Sequence, residues 1–267
     1  MTYLLAGSAG LLGRFVLGEL GDDCTGMDLP ELDITSEASV RAAVDAVSPD
    51  CIVNCAAMTD VDGCERDQPG AMSLHAAGVG NLVRTGLRLV TVSTDQVFDS
   101  GSPDPLFEDD PPAGPPVNAY ARSKLAGERI ALGVPGNAVV RTSWLFGRDR
   151  GMVPGFWREL SKGGTVRAVS DQISSITYAR DLAASIAAIA RSGGTGIFHR
   201  VNRGAVSPLE VAWKLREIAG RGEVLPVTWA DLALDAPRPR CSVLGTSRGD
   251  SLPEAWNAVE RWMRENV

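Results

Sequence analysis

Histidine is almost missing from this chain of 267 residues: only His75 and His199 occur. A histidine-ligated metal or a histidine-based catalytic triad therefore has little to be built from. Cysteine is scarce too, and its spacing is irregular. Cys24, Cys51, Cys55, Cys64 and Cys241 are an odd number that fits neither a zinc pattern nor a disulfide framework. Cys51 and Cys55 stand in an apolar run and read as small buried side chains. No metal is expected. No apolar run approaches the roughly 20 residues that cross a bilayer, so no membrane partner is expected either. The opening MTYLLAGSAG has no basic flank and turns glycine-rich at once, unlike a signal peptide, so a cytoplasmic location is expected. A concentrated basic run is also lacking. With 26 Lys and Arg against 33 Asp and Glu, the net charge is −7, and nucleic acid is not an expected partner.

What is present is an ordinary globular balance, 44% hydrophobic and 22% charged. The length suits one large domain, or one domain with a small lobe. Short apolar runs predict strands at 3–6, 24–27, 51–54, 87–93 and 138–141. Helical spacing predicts helices at 10–20, at 36–47 with Ser36 as cap, at 71–85, and over the stretch NAYARSKLAGE (118–128). Strands alternating with helices imply an α/β fold, a Rossmann-type doubly wound parallel sheet covered on both faces. Residues 100–116, SGSPDPLFEDDPPAGPP, read as a loop, and a loop of that length inside a compact domain points to function. Past residue 147 the pattern is less regular, with helices expected near 156–161, 181–191, 207–219 and 253–265 and an isolated strand at 196–201. The expected division is an NAD(P)-binding Rossmann domain over 1–146, joined by some later segments, and a smaller C-terminal α/β substrate-binding lobe over 147–267.

Three features carry chemistry. Gly7-Ser8-Ala9-Gly10-Leu11-Leu12-Gly13 follows the first strand and opens the first helix. Glycines three apart there permit a tight turn and close helix–sheet packing, and the helix amides can receive a pyrophosphate. Asp28 ends the second strand, 21 residues after Gly7, where a carboxylate can accept hydrogen bonds from an adenosine ribose. It leans toward NAD; the other reading is a solvated turn aspartate. Ser93-Thr94-Asp95 ends the fourth strand, at the edge of a parallel sheet where ligands bind. Tyr120 precedes Lys124 by four residues, which stacks the two side chains on one helix face.

Thr94, Tyr120 and Lys124 together resemble the extended short-chain dehydrogenase/reductase family, in which a Ser or Thr and a Tyr-x-x-x-Lys pair do the chemistry. Within it, STDQVFD (93–99), RTSW (141–144) and Asp171-Gln172 are similar to segments of the dTDP-4-dehydrorhamnose reductases. So are Thr177-Tyr178 with Asp181-Leu182-Ala183, and Arg238-Pro239 with Ser242. The resemblance runs from Gly7 to Ser242. It implies NADH or NADPH as cofactor and a nucleotide sugar as small-molecule partner, and it leaves a homodimer open. It implies cofactor contacts at Gly7, Ala9, Gly10, Leu11, Leu12, Gly13, Asp28, Asp33, Ile34, Cys55, Ala56 and Ala57, with Tyr120 and Lys124. It implies substrate contacts at Thr59, Gln96, Trp144 and Arg238. Trp144 could equally be a core tryptophan, and Arg238 a surface arginine between prolines.

The activity so implied is reduction of the 4-keto group of a nucleotide-linked 4-dehydro-6-deoxyhexose, an NAD(P)-dependent oxidoreductase reaction of deoxysugar biosynthesis. Tyr120 would protonate the carbonyl oxygen, Thr94 would hold that oxygen, and Lys124 would anchor the nicotinamide ribose. Lys124 is also expected to lower the phenol's pKa from about 10. The alternatives are a reductase or epimerase acting on another small carbonyl compound, and a non-catalytic nucleotide-binding regulatory subunit. Gln96 stands where related dehydratases place a proton-abstracting glutamate, so dehydration is disfavoured. Other departures from the family pattern are Met58, His75 in place of asparagine, Ser174, Ile176, and Phe15 where metal-linked dimers have glutamate. His75 reads as a polar packing residue.

Overall fold

The structure is a computed structural model, and it describes residues 1–112, 114–249 and 251–267. Ala113, within the expected proline-rich loop, and Asp250 lie outside the described residues.

The first half alternates as its apolar runs demand: β1 (Tyr3–Ala6), α1 (Leu11–Leu20), β2 (Cys24–Met27), α2 (Glu37–Val47) and β3 (Cys51–Asn54). The Ser36 hydroxyl accepts the Ser39 amide at 3.3 Å and caps α2 as expected. Next come α3 (Val61–Arg66), α4 (Gln68–Met72), a π-turn (Ser73–Ala77) and α5 (Gly78–Val83). The helix expected over 71–85 is therefore a composite with a wide turn inside it. β4 (Arg88–Thr94), α6 (Ala119–Leu132) and β5 (Ala138–Thr142) complete this half.

The remaining elements are β6 (Leu145–Phe146), α7 (Met152–Leu160), β7 (Thr165–Val169), β8 (Thr177–Tyr178), α8 (Ala179–Ser192) and β9 (Gly196–His199). They are followed by β10 (Asn202–Arg203), α9 (Pro208–Ala219), β11 (Glu223–Val227), β12 (Leu252–Glu254) and α10 (Ala255–Asn266). The strand expected to stand alone at 196–201 does not. β9 pairs in parallel with β5, Ala138 opposite Gly196 through Arg141 opposite His199, and ends the main sheet. The parallel pair β7–β11 escaped the sequence reading because its residues are half exposed and include Pro226.

The main sheet has six parallel strands in the order β2-β1-β3-β4-β5-β9. Adjacent residues of its strands face opposite sides. Leu5, Val53, Val90 and Val140 pack against Val16, Leu20, Leu182 and Ile186 of α1 and α8. Leu4, Ile52, Leu89 and Val139 pack against Val40, Val79, Leu82 and Ala131 on the other face. A separate core gathers Phe146, Leu160, Val166, Ile176, Leu215, Val259 and Trp262. At the first turn, a Cβ on Gly13 would stand 2.0 Å from the Gly7 carbonyl oxygen. Only glycine lets α1 start that close to β1.

Two buried polar contacts hold the functional edge in place. The Arg141 guanidinium on β5 donates to the Glu128 carboxylate on α6 at 2.7, 3.0 and 3.2 Å, both side chains being almost fully buried. Glu108, in the proline-rich loop, accepts the His199 amide at 3.0 Å and the Thr246 hydroxyl at 2.6 Å, tying that loop to the sheet edge. Removing one member of a buried ion pair leaves the other uncompensated. Glu128→Ala should lower unfolding stability by about 3–5 kcal/mol in urea titrations; a loss below about 1 kcal/mol would contradict this role for the pair.

Candidate active site

The carboxyl ends of β3, β4 and β5 and the start of α1 surround a cavity of about 490 Å³. One wall is the glycine loop, with Gly10, Leu11, Leu12 and Gly13. α1 has no side-chain cap and no acidic residue in its first turn, so its leading amides face the cavity uncompensated. Cys55, Ala57 and Thr59 continue the wall after β3, and Thr94 and Gln96 after β4. α6 adds Tyr120 and Lys124, and the segment after β5 adds Trp144 and Arg150.

Asn118 sets up α6. Its side-chain oxygen accepts the Ala121 amide at 2.8 Å, and its NH2 group donates to Gln96 Oε1 and to the Pro237 carbonyl, each at 2.9 Å. The first turn of the helix thus carries Tyr120 over the end of β4. The Tyr120 phenol and the Thr94 hydroxyl both line the cavity; Thr94 Oγ1 donates to Asp95 Oδ1 at 3.1 Å and accepts the Gln96 amide at 3.2 Å. Burial raises the phenol's pKa, the Asp95 charge raises it further, and the nearby Thr94 hydroxyl only partly opposes them. The expected lowering by Lys124 is not among the influences on the phenol. Lys124 Nζ instead donates to the Val92 carbonyl at 2.6 Å. Burial brings its pKa down to about 8, with the Glu128 carboxylate holding it up.

Asp95 is the hub of a buried cluster that sequence reasoning missed. Its Oδ2 accepts the Ser242 hydroxyl at 2.5 Å and the Ser174 hydroxyl at 2.8 Å, and Ser174 Oγ lies 2.8 Å from Ser143 Oγ. Burial pushes the Asp95 carboxyl up, against the downward pull of these hydroxyls. The members come from four distant segments, so no spacing could announce them. Ser174, a departure in sequence, is here a structural donor.

His75 occupies the π-turn, a helix irregularity common near functional sites. Its Nε2 accepts the Met58 amide at 3.0 Å, which leaves the ring proton on Nδ1 to donate to Ser123 Oγ at 2.8 Å. Ser123 in turn donates to the Tyr120 carbonyl at 2.8 Å, and the His75 ring meets the Tyr120 ring edge-on at 5.6 Å and 85°. A Cβ on Gly127 would lie 2.1 Å from the His75 carbonyl oxygen, so α6 can seat against the π-turn only with glycine there.

The other expected contacts divide. Asp28 Oδ2 accepts the Ala9 amide and Oδ1 the Leu29 amide, each at 2.9 Å, so the carboxylate borders the glycine loop. Gly7 donates to the Met27 carbonyl at 3.0 Å, and the Ala56 amide to Asn54 Oδ1 at 3.1 Å; both are loop-shaping bonds beside the cavity. Asp33 folds its own turn by accepting the Thr35 amide at 2.9 Å. The Ile34 side chain is buried in the core instead of facing the cavity. Arg238 does not line the cavity: it is ion-paired with Asp62 at 2.7 Å and lies over the Trp229 ring. Trp144 is half-buried with φ of 29°, and it separates the first cavity from a second of about 330 Å³. That second cavity is lined by Met152, Phe156, Trp229 and Arg167 among others.

A dinucleotide fits this arrangement on two observations. A Cβ at Gly10 would meet only the Gly7 oxygen, at 3.3 Å, so the absent side chain leaves the loop open to a ligand. Ser93 Oγ is buried at the cavity wall without a partner in the protein, a hydrogen-bonding position for a bound molecule.

Comparison with known proteins gives concordant results. Residues 1–263 match the family model described as the RmlD substrate binding domain. The chain is 38% identical, over 93% of its length and 88% of the relative's, to a Streptomyces antibioticus protein named "Probable dTDP-4,6-dihydroxy-2-methyloxan-3-one 4-ketoreductase". It is 36% identical, over 91% of its length and 88% of the relative's, to the dTDP-4-keto-6-deoxy-D-glucose reductase of Streptomyces niveus. Its fold superposes on the crystal structure of Bacillus anthracis dTDP-4-dehydrorhamnose reductase in complex with NADP, with a TM-score of 0.93, 31% identity and full coverage of both chains.

The hydrogen-bond chain through His75 makes a prediction of its own. Burial, then the nearby Lys124 charge, lowers the imidazole pKa to about 3. Nitrogen-15 NMR should show a neutral ring with the proton on Nδ1 throughout pH 5–8. A titration centred near 6.5 would contradict the geometry.

Proposed function

We propose a function from one premise: this chain belongs to the family described as the RmlD substrate binding domain. It is an NAD(P)-dependent oxidoreductase that reduces the 4-keto group of a nucleotide-linked 4-dehydro-6-deoxyhexose. The observation that carries this reading is the convergence of Thr94, Tyr120 and Lys124 on one cavity whose wall includes the uncapped start of α1.

The dinucleotide, when bound, supplies hydride to the carbonyl carbon. Everything else falls to the protein. The amides of Leu11, Leu12 and Gly13 would receive the pyrophosphate at the uncapped helix start. Cys55 and Ala57 line the cavity where they would border the nicotinamide, and Lys124 would anchor its ribose. Tyr120 holds its proton tightly because burial and Asp95 disfavour the phenolate. A protonated phenol is the form needed to give a proton to the carbonyl oxygen as negative charge grows there. Thr94 Oγ1, already beside the phenol, turns its own proton to the same oxygen. Until then that proton is hydrogen-bonded to Asp95, itself fixed by Ser174 and Ser242; once it turns, the Gln96 amide still donates to Thr94 Oγ1 and keeps it in place.

The sugar ring lies between Thr59, Gln96 and the face of Trp144, whose apolar surface suits a deoxyhexose. Gln96 presents a defined group, since Asn118 occupies its oxygen and leaves its NH2 for the sugar. As an amide it removes no carbon-bound proton, which is why reduction and not dehydration follows. The nucleotide end extends past Trp144 toward the second cavity, where Phe156 and Trp229 offer aromatic faces and Arg167 a cation.

Tyr120→Phe should cut turnover by about a thousandfold, a typical loss for a positioned acid, with the dissociation constant for the reduced dinucleotide unchanged. Retained turnover would remove the assignment. The pH dependence has a definite sign. Lys124 is protonated below about 8 and neutral above, because burial lowers its pKa. Since kcat/KM reports ionisations of the free enzyme, it should fall as pH rises through about 8. A rise across the same range would contradict a role for the ammonium.

A further inference from the structure

Three charged side chains line the main cavity, Asp95, Lys124 and Arg150, and only the first two are occupied within the protein. Asp95 accepts from Ser174 and Ser242, and Lys124 donates to the Val92 carbonyl. The Arg150 guanidinium makes no hydrogen bond or ion pair among the described residues, and it stands exposed at the rim. Its five N–H donors are therefore available to a ligand. The stretch GRDRG (147–151) that holds it lies outside the segments on which the family resemblance rests.

The side chain is free, but the backbone beneath it is fixed. Gly147 and Arg150 each donate to the other's carbonyl at 3.0 Å, which closes a tight turn. Gly147 seats this turn on the first turn of α1: a Cβ there would lie 3.4 Å from Leu11 Cδ1 and 3.3 Å from the Phe15 ring. Gly151 follows with φ of 97°, and a Cβ on it would come 2.5 Å from the Leu145 carbonyl oxygen. Arg150 is thus carried by a rigid turn packed beside the amides of the glycine loop.

The neighbouring charges do not cancel it. Arg148 lies over the Phe15 ring, 5.5 Å from its centroid, and opens on a different cavity with Arg14 and Glu265. The Asp149 side chain does not line the main cavity, and its carbonyl accepts Arg158 at 2.8 Å. Helix α7, which begins after Gly151, has no side-chain cap and no acidic residue in its first turn, so its dipole adds to the positive side. A diphosphate received by the start of α1 keeps oxygens that the loop amides do not reach. A planar guanidinium pairs with two such oxygens at once.

We propose that Arg150 is a diphosphate-binding residue that grips the pyrophosphate of the dinucleotide opposite the glycine loop. The inference rests on the dinucleotide reading and adds a residue to it. Binding to the full chain, without any sugar, is measured by calorimetry. Arg150→Gln should weaken NADH, NADPH and ADP-ribose alike by about tenfold, the low end for a charge-assisted contact because the site is exposed. Thymidine diphosphate carries the same group without the dinucleotide, and its affinity should change by less than about twofold. Added salt should weaken NADH binding to the unaltered chain more steeply than to the variant, since one exposed charge contact has gone. The urea midpoint should stay where it is, because the side chain has no partner in the protein to lose. Unchanged dinucleotide affinity, an unchanged salt dependence or a lowered urea midpoint overturns the proposal. So does a loss confined to thymidine diphosphate, which would give Arg150 to the sugar nucleotide instead. If the unaltered chain binds no dinucleotide, the proposed function falls as well; if it binds and Arg150→Gln binds equally, this inference falls alone.

Discussion

The buried pair between Arg141 and Glu128 is the constraint on which the functional edge depends. Glu128 lies eight residues past Tyr120 on the same helix, and Arg141 sits on β5 opposite Ser93, the neighbour of Thr94. The pair therefore fixes α6 along the sheet, and with it the height of the phenol above the end of β4. Ion pairs of this kind add little net stability, since desolvation offsets most of the attraction, but they can hold one register against its neighbours. Glu128 acts a second time within its own helix, because its charge supports the buried ammonium of Lys124. One carboxylate thus serves both the placement of the acid and the charge state of the lysine beside it.

Around this clamp the cavity is electrostatically asymmetric. The glycine-loop side offers amides and a helix dipole, which welcome phosphate. The opposite side contains the Asp95 carboxylate, held by hydroxyls of Ser174 and Ser242 and screened from water. Asp95 and burial together keep Tyr120 protonated until a substrate oxygen can take the proton. His75 contributes geometry and no charge, as a neutral ring wedged between the Met58 amide and Ser123. A histidine in place of the family's asparagine can therefore meet the same structural demand: one acceptor for the 55–60 segment and one donor for α6.

How much of this was legible in sequence differs by element. Strands such as Tyr3–Ala6 and Cys51–Asn54 are buried on both faces, so their apolar runs marked their ends. Thr94, Tyr120 and Lys124 could be found because the sheet edge and a four-residue helical spacing localise them. The π-turn was invisible, since a single wide turn leaves the helical apolar pattern almost unchanged. Strand β9 could be recognised as a strand but not placed, because its partner β5 lies far away along the chain. Asp95 was visible as part of Ser93-Thr94-Asp95, whereas its partners Ser143, Ser174 and Ser242 meet it only through tertiary packing. Ile34 and Arg238 show contacts the sequence could not: the Ile34 side chain packs in the core and Arg238 pairs with Asp62.

The central claim is that the 4-keto oxygen is received by Tyr120 and Thr94 together. A crystal structure of the chain with a dinucleotide and a 4-keto-6-deoxy nucleotide sugar tests it most directly. The account predicts the keto oxygen within hydrogen-bonding distance of both the Tyr120 hydroxyl and Thr94 Oγ1, with its carbon facing the nicotinamide. A keto oxygen bound elsewhere in the cavity, out of hydrogen-bonding reach of both hydroxyls, would contradict it.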